Sequence, residues 1–389
     1  MRLLPALVCL FVTSTILAAE PNVKPRDGAT NSRVQFESGK GHVVFLGGSI
    51  TEMEGYRPLV ASYLKQRFPK CDFTVTNAGI SSTCSATGAF RLASDVLAKG
   101  PVDLLFVEFA VNDDQDAGHA RRECIRGLEG IIRHLRAHNP HADVVVTFFV
   151  NEGMLKEFAN NRTPLTVAAH DAVAEHYRVP SVNVAKEVAD RIAAGTLTWK
   201  EYGGVHPGKP GNALAAGMVT GMLDENWKTP LPVGAKKVSH DLPRALVAGN
   251  YEQGRFVALN TAKIASGWTL AVPEWKTIPG QWRDRFRGSE LLSATKPGAE
   301  LTLDFHGQAV GAYILAGPDA GVVQASIDGG AFQTIDLYHK FSGGLHYPRT
   351  VLFAADLSPG KRTLTLRLAD TKNAKSTGTA ARFVQFVAN

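Results

Sequence analysis

Cysteine, charge of one sign and long apolar runs are all scarce in this sequence. It has four cysteines and no CxxC pair, which gives no support for a cysteine-based metal site. Cys71, Cys84 and Cys124 lie beyond the first 20 residues, and whether Cys71 pairs with Cys84 stays open. The formal net charge is +6 without any block of five basic residues, which argues against nucleic-acid binding. An apolar content of 44% with 20% charged residues indicates a soluble globular protein, and 389 residues suggest about two domains.

One long apolar run is present, at the N-terminus. Arg2 precedes the run at residues 3–19, which ends in two alanines before Glu20. A basic start, an apolar segment and small residues near a cleavage point are typical of a secretory signal peptide. We therefore predict a signal peptide at residues 1–19, a secreted or periplasmic protein, and no membrane span in the mature chain. An uncleaved anchor is the alternative, because Leu17 is a poor residue at the −3 position of a cleavage site.

Residues 40–228 alternate between short apolar segments and helix-like segments. Such alternation predicts a parallel sheet of five strands with helices on both faces, and ligands are expected beyond the C-terminal strand ends. The predicted strands are residues 42–48, 72–79, 102–113, 142–150 and 179–184. The predicted helices are residues 56–67, 87–99, 121–138, 165–177, 186–194 and 212–223.

The pattern changes after about Trp227. Residues 229–249 are rich in Pro and Lys and are predicted to be a linker. In residues 250–389 apolar and polar residues alternate, with turns at Asp328-Gly329 and Pro359-Gly360, which predicts an antiparallel β-sandwich of accessory or carbohydrate-binding type. The aromatic residues available there for stacking on sugars, or for the core, are Trp268, Trp275, Trp282, Tyr338, His346 and Tyr347.

Four residues with catalytic potential follow the predicted strands. Ser49 lies on a Gly-rich turn after the first strand, Gly79 follows the second, and Asn112 follows the third. At one edge of the sheet, the Ser49 hydroxyl can act as a nucleophile. The backbone N–H of Gly79, which no side chain shields, and the side-chain amide of Asn112 can form an oxyanion hole beside it. His206 comes after the fifth strand on a loop before a helix, where it can act as a base.

In order, these residues stand in "GGSIT", "NAG", "AVND" and "GGVHP". Together they resemble the four sequence blocks of the SGNH/GDSL hydrolase superfamily, over Val43 to about Asn226. The resemblance implies a three-layer α/β/α, flavodoxin-like domain. It implies that Ser49 is the nucleophile, that His206 is the base, and that Ser49, Gly79 and Asn112 form the oxyanion hole. It implies no metal and no cofactor.

Two residues depart from the family pattern. Gly48 replaces an Asp before the serine, and Gly203 replaces the acid expected three residues before His206. In serine hydrolases the acid orients the imidazole and stabilises its cation. Three substitutes remain open: Glu201 as the acid, a backbone carbonyl of the "KEYGG" loop, or Glu108 from another strand.

Glu108 is unusual because it interrupts the apolar strand "LLFVEFAV". A carboxylate in a central strand needs a partner, so we predict a structural ion pair below the site with Arg57 or Arg91.

The acidic loop after Asn112 holds Asp113, Asp114, Asp116 and His119. It suits a substrate rim or a cation site, and a solvated acidic loop is the preferred interpretation because no metal-ligand spacing is present.

The predicted function is a secreted serine esterase that removes small acyl groups, chiefly acetyl, from a polysaccharide or oligosaccharide. The export signal, the four blocks and the appended sandwich support it. Alternatives are an impaired SGNH protein that binds carbohydrate, a lipid or aryl esterase, and an acyltransferase.

Overall fold

The computed structural model describes residues 21–26 and 28–389, and the predicted signal peptide lies outside these residues. The described chain forms an α/β region followed by two antiparallel sheets packed as a sandwich, so the predicted fold class is confirmed. Within the described ranges, no helix is both long enough and apolar enough to cross a membrane.

The α/β region has six strands and eleven helices among the residues described. The strands are β1 (Val23–Lys24), β2 (Lys40–Gly47), β3 (Asp72–Gly79), β4 (Leu104–Glu108), β5 (Asp143–Thr147) and β6 (Ser181–Val182). The helices up to the middle of the region are α1 (Thr30–Glu37), α2 (Ser49–Glu52), α3 (Tyr56–Arg67), α4 (Ser85–Phe90), α5 (Leu92–Asp95) and α6 (Arg121–His138). The remaining helices are α7 (Glu152–Ala159), α8 (Leu165–His176), α9 (Val184–Ala193), α10 (Trp199–Tyr202) and α11 (Lys209–Trp227).

The sheet has the order β1-β6-β5-β4-β2-β3, with β2 to β6 parallel. The sixth strand, β1, pairs antiparallel with β6 and was not expected, because two residues are too few to show alternation. Strand β1 and helix α1 both precede residue 40, at which the first domain was predicted to begin. The predicted helix at residues 87–99 is broken into α4, α5 and a 3₁₀ turn.

The register of the central strands brings the candidate loops together. Gly47 at the end of β2 pairs with Gly79 on one side and with Glu108 on the other. Strand β4 and strand β5 are buried along their whole length, as their continuous apolar runs require in a sheet covered on both faces. The segments that follow β2, β3 and β4 thus leave the sheet side by side.

The C-terminal region is a two-sheet sandwich. Its strands are β7 (Arg255–Val257), β8 (Lys263–Ser266), β9 (Thr269–Ala271), β10 (Leu291–Ala294), β11 (Glu300–His306), β12 (Val310–Ala316), β13 (Val322–Ile327), β14 (Gln333–Asp336), β15 (Tyr347–Ala354), β16 (Lys361–Leu368) and β17 (Ala381–Ala388). One sheet has the order β15-β12-β17-β10-β9 with β7 beside β17, and the other has the order β14-β13-β16-β11-β8. The predicted turn between β13 and β14 is present, with φ of 52° at Asp328 and 75° at Gly329.

The predicted linker at residues 229–249 is hydrogen-bonded to the α/β region. Arg133 donates to the carbonyl of Pro243 at 2.6 Å, and His240 Nε2 lies 2.7 Å from the carboxylate of Asp143. The N–H of Leu246 donates to Glu129 at 2.6 Å. These contacts attach the segment along the surface of the first region.

The two regions also contact each other directly. One apolar cluster is continuous from the α/β sheet to Trp275, Phe286 and Tyr313 of the sandwich. At another place Arg122 forms two hydrogen bonds with the carboxylate of Asp356, at 2.7 and 2.8 Å. The regions therefore share a buried interface.

Candidate active site

The structure brings Ser49 and His206 into contact. Ser49 is the first residue of α2, and its Oγ lies 2.8 Å from Nε2 of His206. The imidazole comes from the loop between α10 and α11, 157 residues away in sequence. A serine hydroxyl within hydrogen-bond distance of an imidazole nitrogen is the geometry required for base-assisted nucleophilic attack.

The glycine before Ser49 is explained by the neighbouring Asn112. A Cβ added at Gly48 would lie 2.2 Å from Oδ1 of Asn112, so a larger residue cannot occupy this position without moving the amide. The family's aspartate at position 48 would likewise require the Asn112 side chain to move. Asn112 itself is buried, and its Nδ2 donates to Oδ2 of Asp116 at 2.5 Å. One N–H of the amide remains for another acceptor.

The other two predicted oxyanion donors differ from each other. The backbone N–H of Ser49 donates to no acceptor among the described residues. The N–H of Gly79 donates to Oδ1 of Asn77 at 2.9 Å, so it is not the free donor that was predicted. Gly79 is still in close contact with α2, since a Cβ there would lie 2.3 Å from the backbone N of Glu52.

Backbone geometry explains why residue 203 is a glycine and not the acid that the family has there. Gly203 ends α10 with a φ of 107°, and a Cβ there would lie 2.0 Å from the N of Gly208. The N–H of Gly208 donates to the carbonyl of Tyr202 at 2.8 Å, which closes this tight loop. An Asp side chain at position 203 therefore does not fit.

Glu201, predicted as a tentative acid, does something else. Its Oε2 accepts hydrogen bonds from the N–H and the hydroxyl of Thr198, at 2.8 and 2.7 Å, and Thr198 Oγ1 accepts from the N–H of Glu201. This is a capping box at the start of α10, and these bonds lower the pKa of the Glu201 carboxyl. The prediction for Glu201 is wrong because its carboxylate is bound to the helix cap. In the described part of the chain, neither a carboxylate nor a carbonyl accepts a hydrogen bond from Nδ1 of His206.

Glu108 lies below the nucleophile turn, and none of the described residues forms an ion pair with it. Its Oε1 accepts from the N–H of Gly48 at 2.9 Å and from the hydroxyl of Thr51 at 2.8 Å. Burial raises the pKa of this carboxyl to about 7. The predicted ion pair is therefore wrong: neutral donors replace the cation.

The two arginines that were predicted to pair with Glu108 have other partners. Arg57 pairs with Glu54 and donates to the carbonyl of Thr51 at 3.3 Å. Arg91 pairs with Asp95 at 3.1 Å and donates to the carbonyl of Gly47 at 3.1 Å. Both arginines thus contact the backbone of the turn that carries Ser49, while Glu108 supports it from the sheet.

The loop after Asn112 is not a solvated acidic loop. Asp113 is fully buried, and its carboxylate accepts from the N–H and hydroxyl of Ser85, at 2.8 and 2.6 Å, and contacts Nε2 of His170 at 2.9 Å. Against the effect of burial, contacts with His119 and His170 lower the pKa of Asp113.

Two sets of side chains around Asp113 have potential metal-ligand atoms within 4.8 Å of one another. They are Cys84, Asp113 and His119, and Asp113, Cys124 and His170. Because the carboxylate of Asp113 is already hydrogen-bonded by Ser85 and His170, the cluster is held together without an ion. Cys71, Cys84 and Cys124 are all free thiols.

The sandwich contributes side chains beside the loop that follows Asn112. His339 Nε2 lies 2.8 Å from the carbonyl oxygen of Asp116, and its ring stacks on Tyr347 at 4.4 Å. Phe341 lies 5.5 Å from Tyr347 and remains 45% exposed. His339 and Phe341 were missed in the sequence, since nothing local relates them to a loop more than 200 residues away. Of the aromatic candidates that were named, Trp268, Trp275, His346 and Tyr347 are buried.

Comparison with known proteins agrees with this geometry. Residues 45–214 match the GDSL-like Lipase/Acylhydrolase family. No curated protein sequence matches significantly.

Two solved structures align over nearly the whole chain. The first is a two-domain esterase active on acetylated mannans, co-crystallised with mannopentaose; the TM-score is 0.73 at 21% identity, covering 94% of this chain and 96% of that one. The second is the same kind of two-domain esterase, with a TM-score of 0.72 at 23% identity, covering 92% and 94%. They establish the two-domain fold. The α/β region of this chain therefore contains a GDSL-like lipase/acylhydrolase domain of the SGNH type, and a C-terminal β-sandwich follows it.

Proposed function

We propose that this protein hydrolyses small acyl esters, chiefly acetyl esters, on a carbohydrate. The observation that carries the proposal is the 2.8 Å contact between Ser49 Oγ and His206 Nε2 at the C-terminal edge of the sheet. Similarity over 94% of the chain to an esterase active on acetylated mannans supports a carbohydrate ester as the substrate.

Ser49 Oγ attacks the acyl carbon while its proton passes to Nε2 of His206. The N–H of Ser49 and the free N–H of the Asn112 amide stabilise the oxyanion, and each such donor is worth about 10²–10³ in rate. The imidazolium then returns the proton to the leaving sugar oxygen, which gives the acyl-enzyme and a free hydroxyl. Water repeats the sequence with His206 as base and releases the carboxylic acid.

His206 and Ser49 act as a dyad in this proposal. The tight loop at Gly203 and the capping role of Glu201 support it.

The test is release of acetate from acetylated mannan, acetylated xylan and an aryl acetate. We expect activity in the wild type and a loss of about 10⁶-fold in Ser49→Ala. Ser62→Ala, on the exposed side of α3, is the matched control and should keep wild-type activity.

Other outcomes separate the alternatives. Release from the aryl acetate alone would favour an aryl or lipid esterase, and transfer of acetyl to an added sugar would favour an acyltransferase. Binding of mannan without Ser49-dependent release from any ester would favour an impaired carbohydrate-binding protein.

We also propose that the protein acts outside the cytoplasm, on the basis of the apolar run at residues 3–19. Mass spectrometry of the protein recovered from a bacterial periplasm should show an N-terminus near Glu20. Recovery of the intact N-terminus in the membrane fraction would support the uncleaved anchor instead.

A further inference from the structure

We propose that the β-sandwich domain positions the two loops that border the oxyanion hole, residues 79–82 and 112–116, and thereby acts on acyl transfer itself. The inference rests on the proposed esterase function and deepens it. His339 and Tyr347 are the positioning residues. Neither is expected to touch the acyl group.

The first connection leads to Asn112. Residues 112–116 form a single π-helical turn, in which the amide of Asn112 donates to the carboxylate of Asp116. The carbonyl of the same Asp116 accepts a hydrogen bond from Nε2 of His339 at 2.8 Å. Burial lowers the pKa of His339 to about 4, so the ring is neutral at pH 7 and Nε2 is a donor when the proton is on that nitrogen.

His339 is itself attached to the core of the sandwich. The backbone N–H of His339 donates to Oγ of Ser342 at 3.0 Å. That hydroxyl in turn donates, at 2.7 Å, to the carbonyl of Ala316 at the end of β12. A chain of hydrogen bonds therefore runs from a central strand of one sandwich sheet to the amide beside Ser49.

The second connection leads to the loop after Gly79. Ser82 has a φ of 72°, a conformation that a residue with a side chain rarely adopts, so the loop needs external contacts to hold it. The hydroxyl of Tyr347 donates to the carbonyl of Ser82 at 3.3 Å, and Arg283 donates to its Oγ at 2.6 Å. Arg285 donates to the carbonyl of Gly79 at 3.4 Å and pairs with Glu52 of α2 at 2.9 Å.

Tyr347 links the two connections, because its ring stacks on His339 while its hydroxyl holds the loop after Gly79. These contacts are not needed simply to keep the domains together. The shared apolar cluster and the Arg122–Asp356 ion pair also join them. Removing one hydroxyl or one imidazole donor should therefore leave the domains associated and change only the loops.

The experiment measures kcat and KM on an aryl acetate, a substrate too small to need a carbohydrate subsite. His339→Phe keeps a ring for stacking but loses the donor to Asp116, and Tyr347→Phe loses only the hydroxyl. A displacement of the loops by a fraction of an ångström should lower kcat by about 10- to 100-fold, with KM changed less than about twofold. His339→Gln, which retains a donor nitrogen, should recover part of the lost kcat.

The matched control is Asp356→Asn, which weakens an interdomain contact to helix α6 that involves neither loop and should retain wild-type kcat. Thermal unfolding of each variant checks the fold, and if His339→Phe is unstable, the single-atom change Tyr347→Phe carries the test. Wild-type kcat in both variants, with losses confined to a polysaccharide substrate, would overturn the proposal and leave the sandwich as a carbohydrate-binding domain.

Failure of the esterase function itself would look different. In that case the wild type and Ser49→Ala would show the same rate of hydrolysis on every ester, and both the esterase proposal and the positioning proposal would be refuted.

Discussion

Replacing Glu108 by Gln should change how the stability of this protein depends on pH. Burial raises the pKa of the Glu108 carboxyl from 4.5 to about 7, so the folded state prefers the neutral form. A group whose pKa is raised by folding contributes stability that is complete below the unfolded pKa and is lost as pH rises through the folded pKa. In the wild type this loss therefore extends from about pH 4.5 to beyond pH 7.

The magnitude follows from the two pKa values. One pKa unit corresponds to about 1.4 kcal/mol, so ionisation of Glu108 lowers the free energy of unfolding by about 2 to 3 kcal/mol between pH 5 and pH 8. Gln does not ionise, while its oxygen still accepts from the N–H of Gly48 and the hydroxyl of Thr51. The variant should therefore lack this part of the pH dependence and be more stable than the wild type at pH 8.

Urea unfolding followed by tryptophan fluorescence at pH 5, 6, 7 and 8 measures the difference. Glu175→Gln, at a carboxyl with 73% of its side chain exposed, is the matched control and should run parallel to the wild type. If the free energy of unfolding of Glu108→Gln also follows the wild-type pH dependence over this range, the raised pKa of Glu108 is refuted.

Three further predictions concern the candidate catalytic residues. Asn112→Ala should lower kcat/KM on an aryl acetate by about 10²–10³, measured beside unfolding curves that show an intact fold. Gly203→Asp should fail to improve kcat and should lower the free energy of unfolding by about 2 kcal/mol or more, because of the positive φ and the contact with Gly208; a faster and equally stable variant would contradict this geometry. Glu201→Gln should keep kcat within about twofold of wild type, whereas Glu201→Ala should lower the urea midpoint of unfolding because the cap of α10 loses its side-chain acceptor; a large fall in kcat for the Gln variant would return Glu201 to the site.

Much of the α/β domain could be predicted because its signals are local. The helix at residues 56–67 and the helix at residues 121–138 have the predicted ends, and so does the strand at residues 72–79. The two-residue strand β1 was not predictable, because it exists only through pairing with β6. The domain borders proposed from composition remain predictions.

For the site, the sequence identified residue types and order but not their partners. Ser49 and His206 were predicted together and lie in contact. The ion pair of Glu108 and the acid role of Glu201 were wrong, because hydrogen-bond donors close in space, at Thr51 and Thr198, bind these carboxylates first. The bond from Thr51 to Glu108 joins residues 57 positions apart and depends on the fold, whereas the Thr-x-x-Glu spacing of Thr198 and Glu201 is a capping-box signature that the sequence already displays.

The sequence by itself determined the alternation of strands and helices, the change to an all-β region, and the four residues at the candidate site. Periodicity, glycine-rich turns and residue chemistry are written in adjacent positions, so each of these follows from the chain alone. The tertiary structure decided that Gly203 leaves no room for an acid and that His339 reaches the loop of Asn112. These features depend on contacts between segments far apart in sequence, and only folding brings such segments within hydrogen-bond distance.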